Sequence, residues 1–211
     1  MGYSEKDYWD QAAQEFDSFY SEEKAALKRT IDKIFRKAMT ERFHLTLEEC
    51  KNVKGKQIVD VGCGSGRLAV ELAKRGAYVT GIDFSQKMID MAKTMAEEAG
   101  VQGNCTFIRD DYADHVFKQK FDISIALGFF DYTKDPAFFV KKMRSMTTGK
   151  CITSFPAKLA FQVPLRMIWL RCRNCPVYFY TKNQLKRLFA PHFSHYKIKN
   201  ISAVYFCVAS V

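Results

Sequence analysis

The stretch Val59-Asp60-Val61-Gly62-Cys63-Gly64-Ser65-Gly66-Arg67 constrains this chain more than any other nine residues. It begins inside a short apolar run, Gln57–Val61, that predicts a strand. It ends where Arg67–Arg75 predicts a helix closed by Gly76. Glycines at alternate positions of such a turn permit positive φ and close approach of the backbone to a ligand. The helix that follows offers unpaired N–H groups to a polar or anionic group. The expectation is a βαβ unit with a ligand crevice at the carboxyl end of its first strand.

The rest of the chain continues that rhythm. Tyr78–Ile82 predicts a second strand, Ser85–Gly100 a helix, Cys105–Ile108 a third strand and Phe121–Leu127 a fourth. Asp135–Met146 predicts another helix and Lys150–Phe155 a fifth strand. Strands alternating with helices imply a parallel sheet, and near-continuous apolarity implies that both its faces are covered. Two strands around Tyr196–Asn200 and Val204–Ala209 have too short a connection for a crossover, so they form an antiparallel hairpin. The expected class is α/β: a doubly wound, seven-stranded sheet, mostly parallel, with N-terminal helices. Ser4 caps a first helix carrying Phe16, Phe19 and Tyr20 on one face, and a second runs roughly over 21–43. The expected organisation is a helical cap over 1–50 and a core over 51–211, with a lid-like insertion at about 157–180.

Three ligands compete for the glycine turn. A dinucleotide fingerprint has the spacing G-x-G-x-x-G, whereas this turn is G-x-G-x-G preceded by Asp60. A phosphate-binding Walker loop needs Gly-Lys-Ser/Thr, which is missing. The third is S-adenosylmethionine, a nucleoside without phosphate. Asp83 ends the second strand 17 residues past Gly66, where an acid accepts hydrogen bonds from ribose hydroxyls.

The stretches VDVGCGSGRLA, GIDFS and FDISIALGFFDY resemble the class I S-adenosylmethionine-dependent methyltransferases, and the resemblance covers about 50–211. It implies a Rossmann-like fold and a methyltransferase that turns S-adenosyl-L-methionine into S-adenosyl-L-homocysteine. It implies that Asp60, Gly62, Gly64 and Gly66 hold the amino-acid half of the cofactor, with Cys63 in the same loop and Leu127 at the end of the fourth strand. Asp83 then binds the ribose, Phe84 and Met88 pack near the adenine, and Asp111 with Tyr112 recognises the adenine amine. In similar enzymes a helix before the core closes over the cofactor, which makes Tyr8 and Tyr20 candidate contacts. A narrower similarity, to magnesium-protoporphyrin O-methyltransferases and uncharacterised relatives, rests on YWDQAAQEFDSFY, CITSFPAK and Ala203-Val204-Tyr205-Phe206.

The acceptor should approach over the end of the fourth strand. Asp131 and Tyr132 stand there as candidates to contact or deprotonate it, and His115 is a third candidate base. Phe130 is a candidate substrate wall. The segment 157–180 mixes apolar residues with Arg166, Arg171 and Arg173. With Trp169 it reads as a lid suited to an anionic or amphiphilic small molecule, or to a membrane surface. The Asn/Asp-Pro-Pro-aromatic motif of nucleobase-amine methyltransferases is missing from the fourth strand's end, which makes nucleic acid a less expected acceptor. Cys172-Arg173-Asn174-Cys175 has no second C-x-x-C, and no metal is expected although His192 and His195 lie downstream.

Charge keeps an alternative open. The net charge is +10, yet no Asp or Glu follows Asp135, and 13 Lys and Arg do. The first 135 residues carry 20 basic and 23 acidic side chains. A basic C-terminal half would also suit an RNA or protein methyltransferase, and a non-enzymatic member that binds the nucleoside cofactor as a scaffold or partner subunit is a third reading. A nicotinamide dehydrogenase is the remaining alternative. Seven cysteines, an odd number, and an N-terminus without an apolar signal core point to reduced thiols in the cytoplasm.

Overall fold

The computed structural model describes residues 26–158, 177–201 and 203–211. Helix α1 spans Ala26–Glu49. It runs on past the expected end near 43 because nothing up to Glu49 breaks it. The Thr46 hydroxyl donates back to the Arg42 carbonyl at 2.8 Å, and Leu47 is buried. The helix expected from Ser4 lies outside the described residues.

The strands are β1 (Gln57–Val61), β2 (Tyr78–Asp83), β3 (Cys105–Arg109), β4 (Phe121–Ala126), β5 (Thr147–Pro156), β6 (His195–Ile201) and β7 (Val204–Ser210). They form one sheet in the order β3-β2-β1-β4-β5-β7-β6. The first five are mutually parallel, and β7 is antiparallel to both β5 and β6. The seven-stranded, mostly parallel Rossmann-like sheet with its C-terminal hairpin is the one expected. The chain winds outward from β1 to β3, then returns to β4 on the other side of β1. That reversal opens a crevice above the carboxyl ends of β1 and β4.

Alternate residues of each strand feed two cores, one on each face. Val59 and Val61 of β1, Cys151 and Phe155 of β5, and Tyr205 and Cys207 of β7 join one cluster. Helices α4 (Pro136–Met146) and α5 (Lys182–Phe189) complete it with Val140, Met143, Leu185 and Phe189. Ile58, Ile152 and Phe206 enter the other, under α1 and α2 (Arg67–Lys74), with Ala38, Leu68 and Leu72. Each fully buried Ile or Leu in these layers contributes about 2 kcal/mol of transfer free energy.

Helix starts are set by short polar side chains. Ser85 caps α3 (Gln86–Glu98), Asp135 caps α4 with Pro136 behind it, and Thr181 forms a capping box with Gln184 on α5. One strand boundary differs from expectation: β5 begins at Thr147 rather than Lys150. Phe121 pairs with Thr147, the register then shifts, and Ile123 pairs with Lys150. Gly149 makes the shift possible, since a Cβ there would stand 2.6 Å from the Asp122 carbonyl. The segment 159–176 lies outside the described residues, but the chain on either side of it is joined. Lys158 N–H donates to the Tyr180 carbonyl, and Tyr180 N–H donates to the Pro156 carbonyl, each at 2.8 Å. Among the described residues no helix is long and apolar enough to cross a membrane.

Candidate active site at the carboxyl edge of the sheet

The glycine turn leaves β1 and is stitched to β2. Gly62 and Cys63 N–H both donate to the Ile82 carbonyl, at 2.9 and 3.2 Å. Gly66 caps α2 with φ 77°, and a Cβ there would stand 2.8 Å from the Ala92 Cβ of α3. A side chain at this position would be strained by its backbone and would push α3 away.

Asp83 closes the turn. Its Oδ2 accepts from Gly64 N–H at 3.0 Å and its Oδ1 from Ser85 N–H at 3.0 Å. Each carboxylate oxygen offers two lone pairs, so a carboxylate can accept from hydroxyl donors as well as from backbone N–H groups. Asp60, one strand away, is 3% exposed. Burial, with the charge of Asp83 beside it, raises its pKa from 3.8 to about 7. Two acids, a turn of exposed backbone and a helix N-terminus fit a ligand that carries hydroxyls and a cationic end. Met88 also belongs here, since its Sδ lies 4.0 Å from where a Cβ of Gly64 would be. Phe84, between Asp83 and the capping Ser85, is half-buried. The Cys63 thiol turns inward, with its Sγ 2.8 Å from where a Cβ of Gly81 would stand. Burial pushes the pKa of that thiol well above its ordinary value.

The loop after β3 carries Asp110 and Asp111. Asp111 Oδ1 accepts from Ala113 N–H at 2.9 Å, which shapes a tight turn. Lys142 of α4 holds this turn by donating to the carbonyls of Tyr112, Ala113 and His115 at 2.6, 2.8 and 2.8 Å. Burial is the main cause that lowers the Lys142 pKa. Tyr112 does not offer its ring to this edge. The ring is 4% exposed, stacks on Phe139 and donates its hydroxyl to Met146 Sδ. His115 pairs its Nδ1 with Asp110 Oδ2 at 2.8 Å and packs against Phe117. It sits on the β3 side of the sheet, not in the loop that holds the other two candidate acceptor residues.

The loop after β4 borders the turn directly. A Cβ on Gly62 would stand 3.2 Å from Phe129 Cδ2. Leu127 is half-buried and packs on the core beneath. Phe130, the candidate substrate wall, is fully buried here and stacked on Phe155. Its neighbour Phe129 is the aromatic residue at the crevice. Asp131 is 4% exposed, its carbonyl accepts from Tyr178 N–H at 2.8 Å, and its charge helps to raise the Tyr180 pKa. Tyr132 is half-buried. Tyr8, Tyr20, Arg166, Trp169, Arg171, Cys172 and Cys175 lie outside the described residues.

Three residues at this edge escaped the sequence reading: Arg42, Lys142 and Ser154. Gly128 N–H donates to Ser154 Oγ at 2.9 Å, and Arg42 Nη1 approaches the same oxygen at 3.4 Å. These partners lie far apart along the chain, and no local pattern marks them.

Residues 58–149 match the profile of a family described as a methyltransferase domain. A ubiquinone biosynthesis O-methyltransferase of Coxiella burnetii is 37% identical over 102 residues, covering 47% of this chain and 42% of that protein. One from Vibrio campbellii is 32% identical over 107 residues, covering 50% and 45%. The chain thus spans less than half the length of these curated relatives. Among solved structures, magnesium protoporphyrin IX methyltransferase of Synechocystis PCC 6803, crystallised with S-adenosylhomocysteine, superposes with a TM-score of 0.79. It shares 21% identity, and 97% of each chain is covered, which is a likeness of fold.

Proposed function

We propose that this chain, whose residues 58–149 form a methyltransferase domain of the class I fold, transfers a methyl group from S-adenosylmethionine to an oxygen of a small anionic or amphiphilic acceptor. The observation that carries the reading is the closed turn in which Asp83 receives Gly64 and Ser85 N–H beside the buried Asp60. Asp83 would accept from ribose hydroxyls, Asp60 would take an amino-acid ammonium, and the glycine turn would hold the part of the ligand between them. Met88, Phe84 and the Asp111 turn would border its adenine.

The cofactor, when bound, supplies a sulfonium whose methyl group is already electrophilic. The protein's part is therefore positioning and proton handling. Phe129 walls the crevice between the cofactor turn and the loop after β4, which excludes water from the reacting centre. Tyr132 is the proposed contact for the acceptor oxygen, with the carboxylate of Asp131 behind it to bias that proton's departure. An acceptor oxygen held there would lose its proton to Tyr132 or to water as it takes the methyl group that the cofactor would supply. The curated relatives named as ubiquinone biosynthesis O-methyltransferases support oxygen as the methylated atom. The free cysteines Cys50, Cys63, Cys105, Cys151 and Cys207 among the described residues support a reducing, cytoplasmic setting.

The test is calorimetric binding of S-adenosylhomocysteine and of NAD, followed by transfer of a labelled methyl group to a panel of ring carboxylates, phenols and porphyrins. Binding of NAD alone would sink the reading. A second reading, methylation of RNA or of a protein, draws on the exposed Lys182, Lys186, Arg187, Lys197 and Lys199 of α5 and β6. It requires RNA or protein binding that weakens steeply with salt.

A further inference from the structure

The loop that carries Tyr132 is held from a distant part of the chain. Tyr178 N–H donates to the Asp131 carbonyl at 2.8 Å. The Tyr180 hydroxyl donates to the Phe130 carbonyl at 3.3 Å and to the Thr133 carbonyl at 3.5 Å. Both distances are long, as fits one proton shared between two acceptors. Burial, with the charge of Asp131 as a smaller cause, raises the Tyr180 pKa, so the hydroxyl keeps its proton and remains a donor. Within the loop, Thr133 Oγ1 and Tyr132 N–H both donate to the Phe129 carbonyl, at 2.9 and 3.4 Å. The carbonyls of Phe129, Phe130, Asp131 and Thr133 thus all accept hydrogen bonds.

Tyr180 is itself fixed to the sheet. It bridges Ala157, its N–H donates to the Pro156 carbonyl, and its carbonyl accepts from Lys158 N–H, each bond at 2.8 Å. Its ring meets Phe155 edge to face with centroids 5.1 Å apart, and Phe155 stacks on Phe130 at 4.3 Å. The end of β5 therefore sets where the Tyr180 hydroxyl stands, and the hydroxyl passes that position on to the loop after β4. Phe130, Asp131 and Thr133 are buried, whereas Tyr132, between two anchored carbonyls, is half-buried. At the loop's other end Phe129 borders the glycine turn.

We propose that Tyr180 is a positioning residue of the acceptor site: its hydroxyl fixes the backbone on both sides of Tyr132 and so holds Tyr132 at the place where it meets the acceptor oxygen. This rests on the function proposed above. A loop tied through one shared proton has little else to restore it once that proton is gone, and a misplacement of about 1 Å in a contact residue costs on the order of 100-fold in rate.

The test is Tyr180→Phe, which removes the hydroxyl and keeps the ring against Phe155. Amide hydrogens of Tyr178 and Tyr132 should exchange about 10-fold faster in the variant, while those of Gly64 and Ser85 exchange as in wild type. With 3,4-dihydroxybenzoate as acceptor, a phenol and a ring carboxylate in one molecule, kcat should fall about 10- to 100-fold. Affinity for S-adenosylhomocysteine should be unchanged, because Asp83 holds the cofactor turn without Tyr180. Tyr205→Phe, which takes a hydroxyl from another buried tyrosine of the same core, should match wild type in every measurement. Unchanged exchange at Tyr178 and Tyr132 would overturn the proposal, as would faster exchange spread over the whole sheet or a wild-type kcat in Tyr180→Phe. If the wild-type protein binds no S-adenosylhomocysteine, the methyltransferase reading itself fails. If it binds the cofactor product but does not methylate 3,4-dihydroxybenzoate, the exchange pattern decides the role of Tyr180.

Discussion

Asp83 Oδ2 accepts a hydrogen bond from Gly64 N–H at 3.0 Å, so the acid that ends β2 holds the middle of the turn that leaves β1. The same carboxylate holds the first residue before α3 through Ser85 N–H at 3.0 Å. One side chain therefore sets the spacing of both loops that border the proposed cofactor. Asp83→Asn replaces one accepting oxygen by an NH2 group that opposes a backbone donor. The variant should lose about 1–3 kcal/mol of stability in urea titration, and S-adenosylhomocysteine should bind it at least 10-fold more weakly. Full affinity in the variant would remove Asp83 from the site.

Asp60 predicts a pH dependence of the ligand-free protein. Its folded pKa is raised to about 7 from an ordinary 3.8, so between these values the folded protein keeps a proton that the unfolded chain has lost. Stability from this group is greatest below about pH 4, falls as pH rises, and reaches its floor above about pH 7. Asp60→Asn should flatten that part of the slope, gaining on the order of a few kcal/mol relative to wild type at pH 8 and little at pH 4. Urea midpoints of both proteins at the two pH values measure it. Parallel slopes would show that Asp60 is ionised in the folded state.

Lys142 donates to three carbonyls of the turn that follows β3. Lys142→Met keeps the aliphatic stem and removes every donor, so the turn around Asp111 should exchange its amide hydrogens faster. The cost in stability should be about 1–3 kcal/mol, the penalty for leaving carbonyls unsatisfied. Affinity for adenosine-containing ligands should fall with it, while Lys142→Arg restores part of both. Unchanged exchange at Ala113–His115 would count against this role.

Phe130 and Tyr132 separate core from site. Phe130→Ala empties a fully buried position stacked on Phe155 and should cost about 3–5 kcal/mol, with the acceptor KM of the folded protein unchanged. Tyr132→Phe should lower kcat by about 100-fold or more if it handles the acceptor's proton, with little change in stability or in S-adenosylhomocysteine affinity. A raised KM in Phe130→Ala at full stability would return that ring to the substrate wall.

Local pattern in the sequence determined the sheet, its direction of winding and the cofactor turn. Apolar runs bounded by glycine and acid residues carry strand identity within a few residues, and the short connection before Val204 forces the hairpin by chain length alone. The placing of Asp60, Gly62, Gly64, Gly66 and Asp83 around one turn is legible because a βα turn sets such residues at the ends of strands that the pattern already locates. The strand start at Thr147 was hidden because a register shift at Gly149 breaks the alternation that marks strands.

What only the tertiary structure decided is which side chains turn toward the crevice and which distant residues join it. Tyr112 and Phe130 sit beside site residues in sequence, yet their rings are apolar enough to be worth more in the core, and the layer under β4 and β5 has room for them. Arg42 and Lys142 come from helices outside the glycine turn. Arg42 reaches Ser154 across 112 residues of chain, and Lys142 reaches Tyr112 across 30. A contact of that kind leaves no periodicity or spacing behind, since it depends on how α1 and α4 pack on opposite faces of the sheet rather than on any neighbour in the chain.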